Sequence, residues 1–230
     1  MPRPPRNAVG DRIYHVLNRA TARLRLFESK GDYEAFERVF VQAHEQVPMR
    51  TITYCVMPNH WHLVLWPRND GDLSHFMQWL TSTHTTRWHT AHHTIGTGHL
   101  YQGRFKSFPI QSDHHYLTVC RYVERNALRA GLVARAEDWR WGGLWRRTAG
   151  DHGEKSLLSD GPMPWPHDWK ALVNRPQSER EEEALGKCLI RGCPFGTERW
   201  VARCAGELGL ASTLRPPGRP LKNQTVKKGV

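Results

Sequence analysis

The chain has 230 residues, 39% of them hydrophobic, which is enough for one domain of ordinary size with its own core plus an appendage. Its 33 Lys and Arg against 22 Asp and Glu give a formal charge of +11 and an isoelectric point near 9.8, which favours a polyanionic partner over a neutral one. No apolar run approaches the roughly 20 residues that cross a bilayer, and the opening Met1-Pro-Arg-Pro-Pro-Arg6 lacks the apolar core of a signal peptide. The expectation is a cytoplasmic, nucleoid-associated protein without membrane contact. Its five cysteines, Cys55, Cys120, Cys188, Cys193 and Cys204, are odd in number and irregular in spacing, so reduced thiols are the simpler reading. The spacing of Cys188, Cys193 and Cys204 fits no common zinc finger.

In chain order, Arg12 to Asn18 mixes β-branched, aromatic and polar residues and reads as a first strand. From Asp32, taken as the cap, Tyr33, Phe36, Val39, Phe40 and Ala43 recur at three and four, predicting an amphipathic helix that ends near Val47-Pro48. Arg50 to Met57 and His60 to Trp66 then form a hairpin about the turn Pro58-Asn59. After a polar turn at residues 69–72, Leu73, Phe76, Met77, Leu80 and Trp88 outline a second helix, with loop from His89 to His99. The alternation of aromatic and basic residues from Tyr101 to Ile110 predicts a strand with a cationic side. Ser112-Asp113 caps a third helix through Tyr116, Val119, Val123 and Ala127, which stops at Gly131.

Strand, helix, two strands, helix, strand, helix is the order of an α+β fold, with helices over an antiparallel sheet. This domain is expected to span residues 1–147. Gly, Pro, Ser and acidic residues then mark a linker over 148–178, followed by a small helical module over 179–214 and a basic tail over 215–230.

His60-Trp61-His62 is the sharpest local signal. Residues two apart on a strand share a face and can offer two imidazoles to one cation, while Trp61 points into the core. Two histidines on a half-exposed strand are the plainer alternative. Tyr122 and Asn126 lie four apart on one helical face, with Arg129 a further turn on. The phenol is suited to attack phosphorus, and the amide oxygen to completing a metal's coordination. A tyrosine at helical spacing is more often core, and here Tyr116 aligns better with the apolar stripe.

Residues 57–64, Met-Pro-Asn-His-Trp-His-Leu-Val, and 122–133, Tyr-Val-Glu-Arg-Asn-Ala-Leu-Arg-Ala-Gly-Leu-Val, resemble the two signature blocks of the single-tyrosine HUH transposases, the REP-associated tyrosine transposases above all. Gly98 to Lys106 resembles the segment between the blocks, and Phe27 to Phe36 the approach to the first helix, so the likeness runs from about Arg12 to Trp145. The family's usual Asn-Pro is here Asn126-Ala127, which leaves the candidate ligand in place and predicts a helix continuing smoothly to Gly131.

The resemblance implies a ferredoxin-like sheet and action on single-stranded DNA folded into hairpins, the REP-like repeats. It makes Tyr122 the nucleophile of a covalent 5′-phosphotyrosine intermediate, and His60, His62 and Asn126 the ligands of Mg²⁺ or Mn²⁺. Arg104, Phe105, Lys106, Arg121, Arg125 and Arg129 are the candidate DNA contacts, joined by Arg215 and Arg219 of a tail that resembles a minor-groove arm. A monomer is expected, with a dimer as the alternative. Two other readings stay open at this point: a non-catalytic nucleic-acid-binding protein on the same fold, and a metal-dependent nuclease that uses water.

Overall fold

The computed structural model describes residues 8–215. Four strands, β1 (Ile13–Arg19), β2 (Met49–Met57), β3 (His60–Pro67) and β4 (Lys106–Ile110), form one sheet in the order β2-β3-β1-β4. Every neighbouring pair is antiparallel. β1 and β2 therefore run the same way with β3 between them. Helix α1 (Lys30–Gln46) carries the chain from β1 to β2, and α2 (Asp72–Ala91) carries it from β3 to β4. Two interlocked strand-helix-strand units of this kind are the ferredoxin-like arrangement, an α+β fold.

Side-chain alternation then decides which residues meet. Trp61, Leu63 and Leu65 of β3, with Tyr14 and Val16 of β1, face α1 and α2 and are sealed by Phe36, Phe40, Phe76 and Leu80. Fully burying one side chain of this size contributes about 1.5–3 kcal/mol. The opposite face carries Ile13, Val64, Phe108 and Ile110 against Tyr116, Val119 and Val123 of α3 (His114–Glu124). Because Trp61 goes to the first core, its neighbours His60 and His62 go to the second face.

Several boundaries differ from the sequence expectations, each for a local reason. The cap of α1 is Ser29, not Asp32. Asp32 sits three residues in and closes a capping box, its carboxylate accepting from the Ser29 N–H at 2.9 Å. α2 runs to Ala91, so the loop starts later than His89. The last strand is only Lys106–Ile110. Upstream, Tyr101 makes an isolated bridge to Ala20, and Gly103 at φ +141° turns the chain out of the sheet. Tyr101 and Phe105 both enter the first core, so their alternation with basic residues does not come from one strand.

α3 is capped by Asp113 as predicted, but it does not continue smoothly to Gly131. Arg125 has ψ −6°, far from the helical value near −42°, and the helix resumes as α4 (Asn126–Arg129). Gly131 does take the left-handed conformation, at φ +70°.

Among the described residues the chain goes on through one 3₁₀ turn (Ala136–Asp138) and six further helices: α5 (Gly143–Thr148), α6 (His152–Lys155), α7 (Trp169–Asn174), α8 (Glu179–Arg191), α9 (Glu198–Glu207) and α10 (Ala211–Leu214). The segment expected as linker packs Trp169 and Val173 into the second core, where Leu185, Cys188 and Phe195 join them. Both edges of the sheet are covered: Val56 N–H bonds to the Trp141 carbonyl, and Phe195 bridges Ile110. The cysteines are free thiols, with Cys188 and Cys193 sulfurs 3.1 Å apart. Among the described residues, no helix is long and apolar enough to cross a membrane.

Candidate active site

β3 sets His60 and His62 on the second face with ring centroids 5.0 Å apart. α3 lays Tyr122 edge-on against His62, centroids 5.8 Å apart and planes at 83°. Four residues further on, the Asn126 amide nitrogen lies 3.5 Å from the Tyr122 carbonyl. Arg129 completes the group: its Nη2 donates to the Tyr122 hydroxyl at 3.0 Å, and its guanidinium carbon stands 4.8 Å from the ring centroid. His62, Tyr122 and Asn126 are all buried.

Two neighbours hold the histidines from behind. The His60 Nδ1 meets the Asn59 Oδ1 at 2.6 Å, and the His62 Nδ1 meets the His15 Nε2 of β1 at 2.8 Å. His15 is itself buried and stacked on Phe108. Burial drives all three imidazoles toward the neutral form: His60 falls to about 4, helped by Arg19 and Arg129, His15 falls to about 3, and His62 lies well below its ordinary value. Neutral imidazoles at neutral pH are the form that ligates a cation.

α3 is locked in place two residues past the tyrosine. The buried Glu124 carboxylate accepts from Thr53 Oγ1 at 2.7 Å, from Trp169 Nε1 at 2.7 Å and from Arg147. That ties α3 to β2, α5 and α7 at once.

These residues open into a cleft of about 960 Å³, whose far wall is the end of α8 with Leu189, Ile190 and Gly192. Arg19, Arg104, Lys106, Arg129 and Arg191 line it, and no acidic side chain does. A second groove of about 1010 Å³ runs between α2 and residues 98–105, sharing Asn18, Gly103 and Arg104 with the first.

The structure thus brings together His60, His62, Tyr122, Asn126, Arg129, Arg104 and Lys106. Phe105 lies in the first core instead. Arg121 is committed elsewhere, donating to the carbonyls of Leu172, Arg175 and Pro176, and Arg125 donates to that of Arg175. They bind the α7 segment to α3 and stand apart from the cleft. Arg215 accepts through its carbonyl from Arg191, and Arg219 lies outside the described residues. Sequence reasoning missed His15, Arg19, Asn59 and Arg191. Alternation along β1 carried a signal for His15, which shares a face with Ile13, but only strand pairing shows that this face meets His62. A separate group, Asp113, His114 and His115 at the start of α3, has ligand atoms within 4.8 Å of one another, yet Asp113 already accepts from both the backbone and the ring of His115.

Residues 8–126 match the family model of the IS200-like transposases. Among solved structures, a REP-associated tyrosine transposase bound to a REP hairpin is similar at 20% identity and a TM-score of 0.53, over 70% of this chain and 92% of that one. A protein from Deinococcus radiodurans R1 described as a transposase gives a weaker likeness, 18% identity and a TM-score of 0.38, over 53% of this chain and 95% of that one. No curated protein matches the sequence.

Proposed function

This chain belongs to the family of IS200-like transposases, and from that premise we propose that it cuts and rejoins single-stranded DNA through a covalent bond to Tyr122. The observation that carries the reading is the cleft itself, where one phenol stands beside two neutral imidazoles and five cationic side chains with no acidic group among them. Such a site accepts a phosphodiester and repels nothing about it.

In the proposed reaction the Tyr122 oxygen attacks the scissile phosphorus. The bond from phosphorus to the 3′ oxygen breaks, and that oxygen leaves as a 3′-hydroxyl after gaining a proton. The tyrosine keeps the 5′-phosphate side, and attack by a different 3′-hydroxyl rejoins strands with no external energy source. Arg129, donating to the phenol oxygen at 3.0 Å, orients the nucleophile. Arg19, Arg104, Lys106 and Arg191, which all line the cleft, hold the strand's phosphates.

The donor set fits a divalent cation: two neutral imidazoles 5.0 Å apart and a buried amide four residues from the tyrosine. His60, His62 and Asn126 would hold Mg²⁺ or Mn²⁺, which supplies Lewis-acid polarisation of the phosphate. Hairpin DNA of the REP type is the proposed substrate, by likeness to the structural neighbour bound to such a hairpin. One chain contributes histidines, asparagine and tyrosine to one cleft, which supports action as a monomer.

The test is to incubate the protein and its Tyr122→Phe variant with end-labelled hairpin DNA and Mn²⁺. Loss of all cleavage in the variant is the expected result. Cleavage that survives in Tyr122→Phe would point to a water-using nuclease, and binding without cleavage by the unaltered protein would point to a DNA-binding role alone.

A further inference from the structure

We propose that His15 is a positioning residue: it accepts the Nδ1–H of His62, and Asn59 accepts that of His60, so that both imidazoles present a bare Nε2 to the cleft. The inference rests on the metal reading above and extends it to two residues outside the ligand set.

The Asn59 Oδ1, 2.6 Å from the His60 Nδ1, is an acceptor only, so the ring nitrogen facing it carries the hydrogen. A neutral imidazole has a single N–H, which leaves the lone pair of His60 on Nε2. The His15 Nε2, 2.8 Å from the His62 Nδ1, can play the same part for the second ring when its own hydrogen is on Nδ1. Both histidines are thus engaged through the same nitrogen, although their partners come from different elements, a turn and a neighbouring strand. With ring centroids 5.0 Å apart, two rings fixed in this tautomer each keep an Nε2 lone pair free for a cation.

The opposite assignment, with His15 donating to His62, would place a hydrogen on the His62 Nε2 and remove one of the two ligand lone pairs. His15 is suited to a fixed role. It is 1% exposed, stacked on Phe108 with centroids 4.9 Å apart, and cannot turn without opening the second core. An imidazole held there is otherwise an unneeded polar group on a face of Ile13, Val64 and Phe108.

The experiment begins with the metal-free, DNA-free protein labelled with ¹⁵N-histidine, in which long-range proton–nitrogen correlation reads which ring nitrogen carries the hydrogen. His60 and His62 are expected as Nδ1–H tautomers. Mn²⁺ titration, followed by electron paramagnetic resonance, then compares His15→Gln, which keeps an acceptor near the Nε2 position, with His15→Phe, which keeps the stacked ring alone. His15→Gln should stay within about threefold of the unaltered protein, and His15→Phe should lose about 10- to 100-fold in Mn²⁺ affinity. Hairpin binding in EDTA confirms that each variant is folded. An Nε2–H tautomer at His62, or unchanged Mn²⁺ affinity in a folded His15→Phe, overturns the role of His15 while Mn²⁺ uptake by the unaltered protein leaves the metal site standing. Expected tautomers without any Mn²⁺ uptake overturn the metal reading, and this role with it.

Discussion

Arg129 donates a hydrogen bond to the hydroxyl of Tyr122 from two helical turns away, and does so across the interruption at Arg125 that separates α3 from α4. The guanidinium also lies over the ring. A phenol oxygen held by a guanidinium is oriented for attack before any substrate arrives.

Arg129→Ala should therefore slow formation of the protein–DNA bond about 100-fold, the scale of losing one donor at a reacting oxygen. Hairpin affinity should fall by less, about tenfold, since one phosphate contact at most is lost. Single-turnover rates set against equilibrium binding separate the two, and equal losses in both would make Arg129 a phosphate contact only.

Glu124 ties the tyrosine's helix to three other elements through Thr53, Trp169 and Arg147. Glu124→Ala leaves Arg147 and two buried donors without their acceptor, and should lower stability by about 3–5 kcal/mol. Urea unfolding measures this, and a loss under about 1 kcal/mol would show that α3 is anchored by its apolar face alone.

Part of the acid dependence of stability, beside that of the buried cleft histidines, should trace to a histidine outside the cleft. His84 is buried against the Tyr101 hydroxyl at 2.7 Å, and burial lowers it to about 3 from 6.5, with Asp32 and His92 acting weakly in opposite directions. Between those values the unfolded chain takes up a proton that the folded chain refuses. The contribution of His84 is thus complete above pH 6.5 and declines as pH falls toward 3. Thermal unfolding at several pH values should show His84→Gln with a flatter acid slope than the unaltered protein, and identical slopes would contradict the assignment.

The cleft's lack of acidic residues has its own consequence for metal binding. A cation entering beside Arg19 and Arg129 meets like charge, so Mn²⁺ should bind weakly to the protein alone and more tightly with DNA phosphate present. By reciprocity Mn²⁺ should tighten hairpin binding by the same factor. His60→Ala and His62→Ala should each abolish the coupling, and EDTA should stop cleavage. Isothermal titration with and without hairpin DNA checks this, and Mn²⁺ affinity independent of DNA would contradict it.

How much was legible in the sequence follows from how local each signal is. Period-two alternation around Trp61 placed His60 and His62 on one face, and period-four spacing placed Tyr122 and Asn126 together, because both patterns are properties of a single element. The order of strands and helices was enough for the α+β class. What escaped was what depends on pairing between elements. His15 becomes a neighbour of His62 only through the antiparallel register of β1 on β3. Arg121 lies on the tyrosine's helix and Arg125 caps its end, yet their guanidiniums turn to carbonyls of residues 172–176, a segment whose composition suggested a linker. The alternation of Tyr101 to Ile110 misled because Gly103 breaks the extended run and two aromatics enter the first core independently of the strand.

The most direct measurement is the identity of the residue that carries DNA after reaction. The protein would be incubated with hairpin DNA and Mn²⁺, denatured, digested with nuclease and trypsin, and its peptides weighed. The account predicts a nucleotide phosphate on the peptide of residues 122–125, Tyr-Val-Glu-Arg, and none in Tyr122→Phe. Nucleotide on another residue, such as Tyr101, or cleaved DNA with none on the protein, would contradict it.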